Sequence, residues 1–277
     1  MIDARIPFFV MHYTPERKRR ANIESAWNAC FGRERFHLTF VTAHDREQPS
    51  VRAAYVYDKA LYRQMIQSIK DLLIGYAIAR TDANASYKKC VEAWRAKNTT
   101  LDQDLQAFPW LWETPSPGDV SLILKHREAW ARLTGGDAQH AVIAEDDIIL
   151  NPASLSYLLQ LMEHLPDGAE YVDIAGGLEF YPRADNRLFD RNFYEIDPPK
   201  TRTTCAAIVS RSFARRLIAL DPPICFGIDW MLNWAFGQLG TKVYWAEPTV
   251  FGHGSQMRVY SSLREEERAA GFAGADH

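Results

Sequence analysis

The chain has 277 residues, of which 47% are hydrophobic and 24% are charged, and its formal net charge at pH 7 is −3. This composition excludes a disordered or fibrous protein, and the net charge gives no electrostatic reason to bind nucleic acid. The N-terminus lacks the charged start and long apolar stretch of a signal peptide, and no segment is long enough to cross a membrane. We therefore expect a cytoplasmic protein in which the four scattered cysteines are reduced thiols.

Short apolar strands alternate with amphipathic helical segments, which predicts an α/β architecture. The first strand is predicted over residues 6–11, and Thr14 is predicted to be the N-cap of the helix that follows. The basic residues 17–20 are interpreted as a solvated face of that helix. The second strand is predicted over residues 37–42 and leads to Asp45.

A helical insertion follows the second strand. Apolar residues spaced three and four apart predict a long helix over residues 57–79, and a second helix is predicted over 86–96. We place the whole insertion at about residues 51–117. It ends in a proline-rich loop that contains Trp110 and Trp112. These rings would either stack on a sugar or pack the insertion onto the core, and the sequence leaves both alternatives open.

The next helix is predicted from Asp119, as its N-cap, to Leu133. His126 lies on the apolar face of this helix. A core histidine whose ring nitrogens are hydrogen-bonded is the favoured interpretation, and a catalytic role is the alternative.

The run His140–Leu150 is the most informative in the chain because a buried strand leads directly into three acids, Glu145, Asp146 and Asp147. Adjacent carboxylates repel one another unless a cation neutralises them. Carboxylate oxygens suit Mg²⁺ or Mn²⁺, and such ions often bind substrate phosphates as well. We favour a metal site, with solvated or helix-capping acids as the alternative.

A lone acid, Asp229, lies among bulky apolar residues at the start of a predicted helix over residues 230–236. Burial raises the pKa of a carboxyl group and suits it to proton transfer. Asp229 is therefore a candidate general base, and the alternative is that it is the N-cap of the helix. Further strands are predicted over residues 171–175 and 203–209.

His253 lies between two glycines near the end of the chain. Glycine allows the backbone to approach a ligand closely and offers no apolar neighbour for core packing. We therefore favour a functional role for this histidine over a structural one.

Several segments occur in the order seen in glycosyltransferase family 25, which includes the bacterial lipooligosaccharide and the collagen hydroxylysine galactosyltransferases. The chain resembles this family outside the insertion and the C-terminal tail. It departs from the family pattern at Lys125, where the family commonly has a serine. It also departs at Cys205–Ala206, where the family usually has a small residue followed by an aromatic one. The segments that carry the resemblance are Pro7–Arg17, Gly118–Val120 with His126 and Trp130, Glu145–Asp147, Thr203–Ser210, Ile228–Trp230 and Pro248–Gln256.

The resemblance implies a GT-A fold, which is a Rossmann-like mixed sheet flanked by helices, and here it carries a helical insertion. It also implies a UDP-sugar donor, a Mn²⁺ or Mg²⁺ cofactor, and transfer that inverts the anomeric carbon. Carried over by position, the acidic triplet Glu145–Asp147 is the metal and nucleotide motif of the family. In the mechanism that we expect, Asp147, Asp146 and His253 hold the metal ion. Glu145 and Asp146 contact the nucleotide or a metal-bound water, and Asp229 is the catalytic base.

The same comparison assigns the donor pocket to the loop that contains Tyr13, Thr14 and Arg17. We also expect Asp45, after the second strand, to bind the nucleotide.

We expect residues 1–256 to form one catalytic domain, followed by a polar tail over 257–277. The expected activity moves galactose or glucose from a UDP-sugar to a glycan, a lipid-linked saccharide or another hydroxyl acceptor. A lipid-linked acceptor would bring this protein to the inner face of a membrane as a peripheral contact. Two alternatives remain: a metal-dependent phosphoesterase or nucleotidyltransferase that uses the same carboxylates, and a non-catalytic carbohydrate-binding protein.

Overall fold

The computed structural model of the protein describes residues 5–54, 59–81, 87–97, 103, 115–177, 180–182, 186–189, 192–225 and 227–261. Its helices are α1 (Arg17–Ala29), α2 (Pro49–Ala54), α3 (Lys59–Thr81), α4 (Tyr87–Arg95), α5 (Pro117–Gly135), α6 (Ser154–Glu163), α7 (Arg211–Leu220) and α8 (Ile228–Leu239). Its strands are β1 (Ile6–Met11), β2 (Phe36–Val41), β3 (His140–Glu145), β4 (Ile148–Ile149), β5 (Tyr171–Asp173), β6 (Arg187–Phe189), β7 (Phe193–Ile196), β8 (Ala206–Ser210), β9 (Val243–Ala246) and β10 (Gly252–His253). Within these ranges, no helix combines the length and the hydropathy that a membrane crossing requires.

Eight strands form one mixed sheet in the order β2-β1-β3-β8-β5-β9-β7-β6. The strand β1 is parallel to both of its neighbours, β2 and β3, whereas β8 is antiparallel to β3 and β5. The chain leaves β1 toward β2 and later returns to β3 on the other side of β1. In open α/β sheets, ligands bind at such a reversal, outside the carboxyl ends of the strands. The topology therefore points to the loops after β1 and β3.

Helices cover both faces of the sheet because successive side chains of a strand point to opposite faces. In β1, Phe9 and Met11 belong to the core that includes residues of α5, α7 and α8, whereas Phe8 and Val10 belong to the core that includes residues of α1 and α6. The protein is thus an α/β protein with a Rossmann-like mixed sheet flanked by helices, as the sequence predicts.

In the predicted helical insertion, the helices over residues 57–79 and 86–96 correspond to α3 and α4. Buried residues of these two helices form a separate apolar cluster against Cys225, Trp230 and Trp234. Since Trp230 and Trp234 belong to α8, the insertion packs on the same helix that carries Asp229. Trp110 and Trp112 lie outside the described residues, and sugar stacking by them stays a prediction.

The acidic run is not one continuous strand. The strand β3 ends at Glu145, and Asp146 and Asp147 form a turn before β4 begins. The short strand β4 pairs with β10 in a separate two-stranded sheet, in which Ile148 is opposite His253. This pairing brings His253 beside the acids, although more than a hundred residues separate them in the chain.

Two predicted helix starts were wrong. The helix α1 begins at Arg17 with Glu16 in the N-cap position, not Thr14. The helix α5 has Ser116 as its N-cap: the Asp119 backbone N–H donates to the Ser116 hydroxyl at 3.1 Å, and the Asp119 carboxylate accepts from the Ser116 backbone N–H at 2.9 Å. Asp119 is thus the third helical residue of a capping box.

The strands β6, β7 and β10 were not predicted from the sequence. They have between two and four residues each, and a run this short shows too few repeats of the strand alternation to be recognised. Cys30, Cys205 and Cys225 are buried and form no disulfide in the described part of the chain, which agrees with the prediction of reduced cysteines for these three.

Candidate functional site

The carboxyl ends of β1, β2 and β3 lie at one edge of the sheet, and the loops that follow them contact one another. The Thr14 backbone N–H, after β1, donates to the Asp45 carboxylate, after β2, at 3.3 Å. The Tyr13 backbone N–H donates to the Asp146 carboxylate, after β3, at 3.2 Å. The structure therefore brings together four of the predicted site residues, which come from three separate parts of the chain.

A buried cation holds Asp45 in place. The Lys125 ammonium donates to the Asp45 carboxylate at 2.8 Å and to the Ala43 carbonyl at 2.6 Å, and the Lys125 side chain is almost fully buried. Burial alone would raise the pKa of Asp45, but the hydrogen bonds from Lys125 and Thr14 hold it below its ordinary value. Asp45 is therefore a carboxylate in a fixed position. Its contact with Lys125 explains why a buried lysine is tolerated on a largely apolar helix.

The aromatic ring of Tyr13 lies in the same loop region. The Tyr13 hydroxyl donates to the Glu47 carboxylate, and the Arg46 guanidinium is 4.4 Å from the centre of the Tyr13 ring. Arg17 is exposed on the first turn of α1. The Tyr13 ring is thus paired with the Arg46 guanidinium beside Asp45, and Arg17 is exposed at the start of the helix that follows.

Asp146 is buried, and both of its oxygens have partners. Its Oδ1 accepts from the Arg19 guanidinium at 2.9 Å, and its Oδ2 is 2.8 Å from the Nδ1 of His12. Arg19 is itself buried, so the interpretation of residues 17–20 as an entirely solvated face was wrong. Asp146 fixes the end of β3 against β1 and α1, and a metal ion would have to displace one of these partners to bind it.

Asp147 faces a different group of side chains. Its Oδ2 is 3.3 Å from the Nδ1 of His253, and its Oδ1 is 3.8 Å from the Sγ of Cys205. One donor atom from each of these three residues lies within 4.8 Å of the others, so that the three side chains could hold a metal ion. The Ser255 hydroxyl also donates to the Asp147 carboxylate and orients it.

His253 has a ring nitrogen available for a ligand. Its Nδ1 is buried, and no group in the described part of the chain forms a hydrogen bond of acceptable geometry with it. Position 254 requires glycine for a steric reason, because a Cβ at Gly254 would lie 2.5 Å from the Asp147 carbonyl oxygen. The backbone N–H of Gly254 instead donates to that carbonyl at 2.8 Å. The glycine therefore allows the histidine to approach the acidic turn.

The environment of Glu145 disfavours a negative charge on its carboxyl group. Burial, and then the charge of Asp147, raise the pKa of Glu145 to about 8, although the hydrogen bond from the Thr204 hydroxyl at 2.6 Å opposes this shift. Asp229 and Asp146 raise the pKa of Glu145 further. A bound cation would relieve this repulsion.

Asp229 lies in the first turn of α8 and close enough to Glu145 to affect its pKa. The N-cap of α8 is Gly227, so the alternative that Asp229 is the N-cap was wrong. Its Oδ1 accepts from the Trp230 backbone N–H at 2.9 Å. A Cβ on Gly227 would lie 3.1 Å from an Asp229 oxygen and 3.4 Å from an Asp119 oxygen. Two carboxylates therefore approach the chain at Gly227.

His126 is a core residue, as predicted, but its ring is not fully hydrogen-bonded. Its Nε2 is buried, and none of the residues that the structure describes provides a partner for it. Burial lowers the pKa of His126 to about 3, so the ring is neutral near pH 7. It lines a small cavity with Trp130, Tyr171 and Thr204, and Thr204 separates this cavity from Glu145.

The sequence did not identify several residues that shape the site, namely His12, Arg19, Thr204, Cys205 and Ser255. Cys205 was noted only as a departure from the family pattern. The others carry no local signal, because their partners come from other parts of the chain.

No protein-family model matches this chain, and no curated protein is significantly similar to it.

Proposed function

We propose that the protein is a metal-dependent glycosyltransferase of the GT-A fold. It transfers galactose or glucose from a UDP-sugar to a hydroxyl of a glycan, a lipid-linked saccharide or a similar acceptor, and it inverts the anomeric carbon. The observation that carries the proposal is the convergence of Glu145, Asp147, Asp229 and His253 where the sheet reverses its connection. A nucleotide binds at this position in α/β sheets, and the resemblance to glycosyltransferase family 25 supplies the sugar chemistry.

A divalent cation fits this group of residues for two reasons. Burial, and then repulsion by the nearby Asp147 carboxylate, raise the pKa of Glu145, and the buried Nδ1 of His253 lacks a hydrogen bond within the described ranges. Asp147 and His253 would hold the ion, Mn²⁺ or Mg²⁺ in the family that the chain resembles. Asp146 would join them only by giving up its contact with His12 or Arg19. When bound, the ion neutralises the charge of the leaving diphosphate.

The nucleotide would occupy the loops after β1 and β2. Tyr13, Thr14 and Arg17 offer an aromatic ring, a hydroxyl and a guanidinium, and Asp45 offers a carboxylate held by Lys125. Glu145 would accept a hydrogen bond from the ribose or from a metal-bound water.

Asp229 is the proposed general base. The acceptor oxygen forms a bond to the anomeric carbon while the bond from that carbon to the UDP phosphate oxygen breaks. The bonding electrons leave with UDP, and the hydroxyl proton passes to the Asp229 carboxylate. The position of Asp229 in the first turn of α8 suits this role, because a helix N-terminus favours negative charge.

The variant Asp229→Asn tests this assignment. It keeps an oxygen that accepts the Trp230 N–H but removes the base, so transfer should fall about a hundredfold to ten-thousandfold. Donor affinity and melting temperature should change little, because the base contacts the acceptor hydroxyl. Asp221→Asn is a matched control, because Asp221 is exposed and in a left-handed conformation at the end of α7, which asparagine also adopts.

The assay is metal-dependent UDP release from UDP-galactose and UDP-glucose with a panel of saccharide acceptors. Full transfer by Asp229→Asn would remove it as the base. Phosphate release from simple esters without UDP-sugar turnover would favour a phosphoesterase, and nucleotide-independent saccharide binding without turnover would favour a carbohydrate-binding protein. A lipid-linked acceptor that is used in preference to soluble glycans would place the protein at the inner face of a membrane.

A further inference from the structure

The three side chains that could hold a metal ion do not form an oxygen-only set. Asp147 offers a carboxylate, His253 an imidazole and Cys205 a thiol. Magnesium binds oxygen ligands and requires octahedral geometry, whereas thiolate together with imidazole is typical of zinc and similar transition metals. The sulfur therefore bears directly on which ion the protein selects.

The distances between the donor atoms agree with a tetrahedral ion. Zinc bonds are about 2.0–2.2 Å to nitrogen and oxygen and about 2.3 Å to sulfur, which places tetrahedral ligands about 3.3–3.6 Å apart. In this protein, the Asp147 Oδ2 is 3.3 Å from the His253 Nδ1, and the other oxygen of Asp147, Oδ1, is 3.8 Å from the Cys205 Sγ. One donor atom from each of the three residues lies within 4.8 Å of the others. An octahedral magnesium shell would instead bring neighbouring oxygens to about 2.9 Å. Ion binding would draw the three donor atoms together from separations of up to 4.8 Å.

The surroundings of the three groups also favour metal binding. The Asp147 carboxylate is oriented by the Ser255 hydroxyl, and such outer hydrogen bonds hold metal ligands in position. Cys205 is fully buried and His253 retains 15% of its side-chain exposure. Of the three side chains, the histidine is thus the one on the accessible side.

We propose that Asp147, Cys205 and His253 form a three-ligand site for a thiolate-accepting ion, Zn²⁺ in the first instance, with the fourth position open to a substrate oxygen. Three protein ligands and one open position are the arrangement of catalytic zinc sites. The occupant of the fourth position, a diphosphate oxygen, rests on the proposed function. The identity of the ion rests on the three side chains alone.

Cobalt absorption tests the ligand set directly. The full chain, freed of metals with a chelator, is titrated with Co²⁺, which replaces zinc in such sites. A near-ultraviolet thiolate-to-cobalt charge-transfer band is expected in the unmodified protein, and Zn²⁺ should abolish it by displacement. A cobalt-loaded protein without this band would overturn the proposal, since oxygen and nitrogen ligands alone do not produce it.

A matched pair of cysteine variants measures the contribution of the sulfur. Cys205→Ser should lose the band and bind Zn²⁺ at least about a hundredfold more weakly, because loss of a direct ligand costs more than the tenfold to hundredfold typical of its supporting hydrogen bonds. Cys30→Ser, at another fully buried thiol, should keep the band and the affinity. Unchanged Zn²⁺ affinity in Cys205→Ser contradicts the proposal.

The order of affinities among metals is not a sufficient test, because almost any site of nitrogen, oxygen and sulfur binds Zn²⁺ more tightly than Mn²⁺. The decisive result is the loss of Zn²⁺ affinity when the sulfur of Cys205 is removed. Circular dichroism of Cys205→Ser without metal shows whether this variant folds. If it does not fold, the cobalt absorption spectrum of the unmodified protein still decides the ligand set. None of these measurements uses a UDP-sugar, so a positive cobalt spectrum without transferase activity would refute only the proposed function.

Discussion

The buried ring of His126 makes the stability of the protein depend on pH. Burial lowers its pKa from 6.5 to about 3, so the folded chain keeps the ring neutral while the unfolded chain protonates it below pH 6.5. Below that value the unfolded state binds more protons, and stability falls as the pH falls. The loss continues until the pH reaches the pKa of the folded state.

The size of this effect follows from the same two pKa values. Each pH unit between them costs about 1.4 kcal/mol, so this histidine should remove about 2 kcal/mol of stability between pH 7 and pH 5. His126→Phe keeps a planar ring next to Trp130 and cannot be protonated. In this variant the fall in stability from pH 7 to pH 5 should be smaller by about 2 kcal/mol.

Urea unfolding at pH 7, 6 and 5 measures the difference. His37→Phe is the control, because His37 is exposed on the edge strand β2 and its imidazole contacts water in both states. Equal pH dependence in His126→Phe and the unmodified protein would refute the reasoning. A smaller pH dependence of the stability in His37→Phe would show that the effect does not come from burial of the ring.

Gly254→Ala should weaken Co²⁺ and Zn²⁺ binding about tenfold or more, because a Cβ would collide with the Asp147 carbonyl and separate His253 from the acidic turn. The control Gly237→Ala, which has open space around its Cβ, should bind these ions as the unmodified protein does. Equal affinities in the two variants would contradict this account. Arg202→Met should cost about 3–5 kcal/mol in unfolding by urea, because Arg202 and Asp173 form a fully buried ion pair at 3.1 Å and the variant leaves the carboxylate without its cation. A loss below about 1 kcal/mol would mean that the backbone N–H donors to Asp173 are sufficient.

Where the sequence predicted correctly, the signal was local. The strand β1 was predicted with its observed bounds, and α3 and α4 agree with the predicted helices to within a few residues. Strand and helix periodicity are properties of neighbouring residues, so a single segment is enough to show them. The two wrong helix starts have different reasons. Thr14 contacts Asp45 from another part of the chain, and Ser116 is a better N-cap than Asp119.

The candidate site was only partly predictable. The acids Glu145, Asp146 and Asp147 are adjacent in sequence, and a charged run after an apolar strand is visible without a structure. Their separate surroundings were not visible: Asp146 faces His12 and Arg19, whereas Asp147 faces Cys205 and His253. Consecutive residues in a turn point in different directions, so three similar acids acquire three different environments.

The sequence by itself determined that the chain is an α/β protein, that a run of three acids follows a buried strand, and that a histidine lies between two glycines. Only the tertiary structure decided which of these groups meet. His12 contacts Asp146 across 134 residues, and β10 places His253 beside Asp147. Such contacts depend on strand order and on pairing between distant segments, and these are set by the burial of the whole core and not by any local pattern.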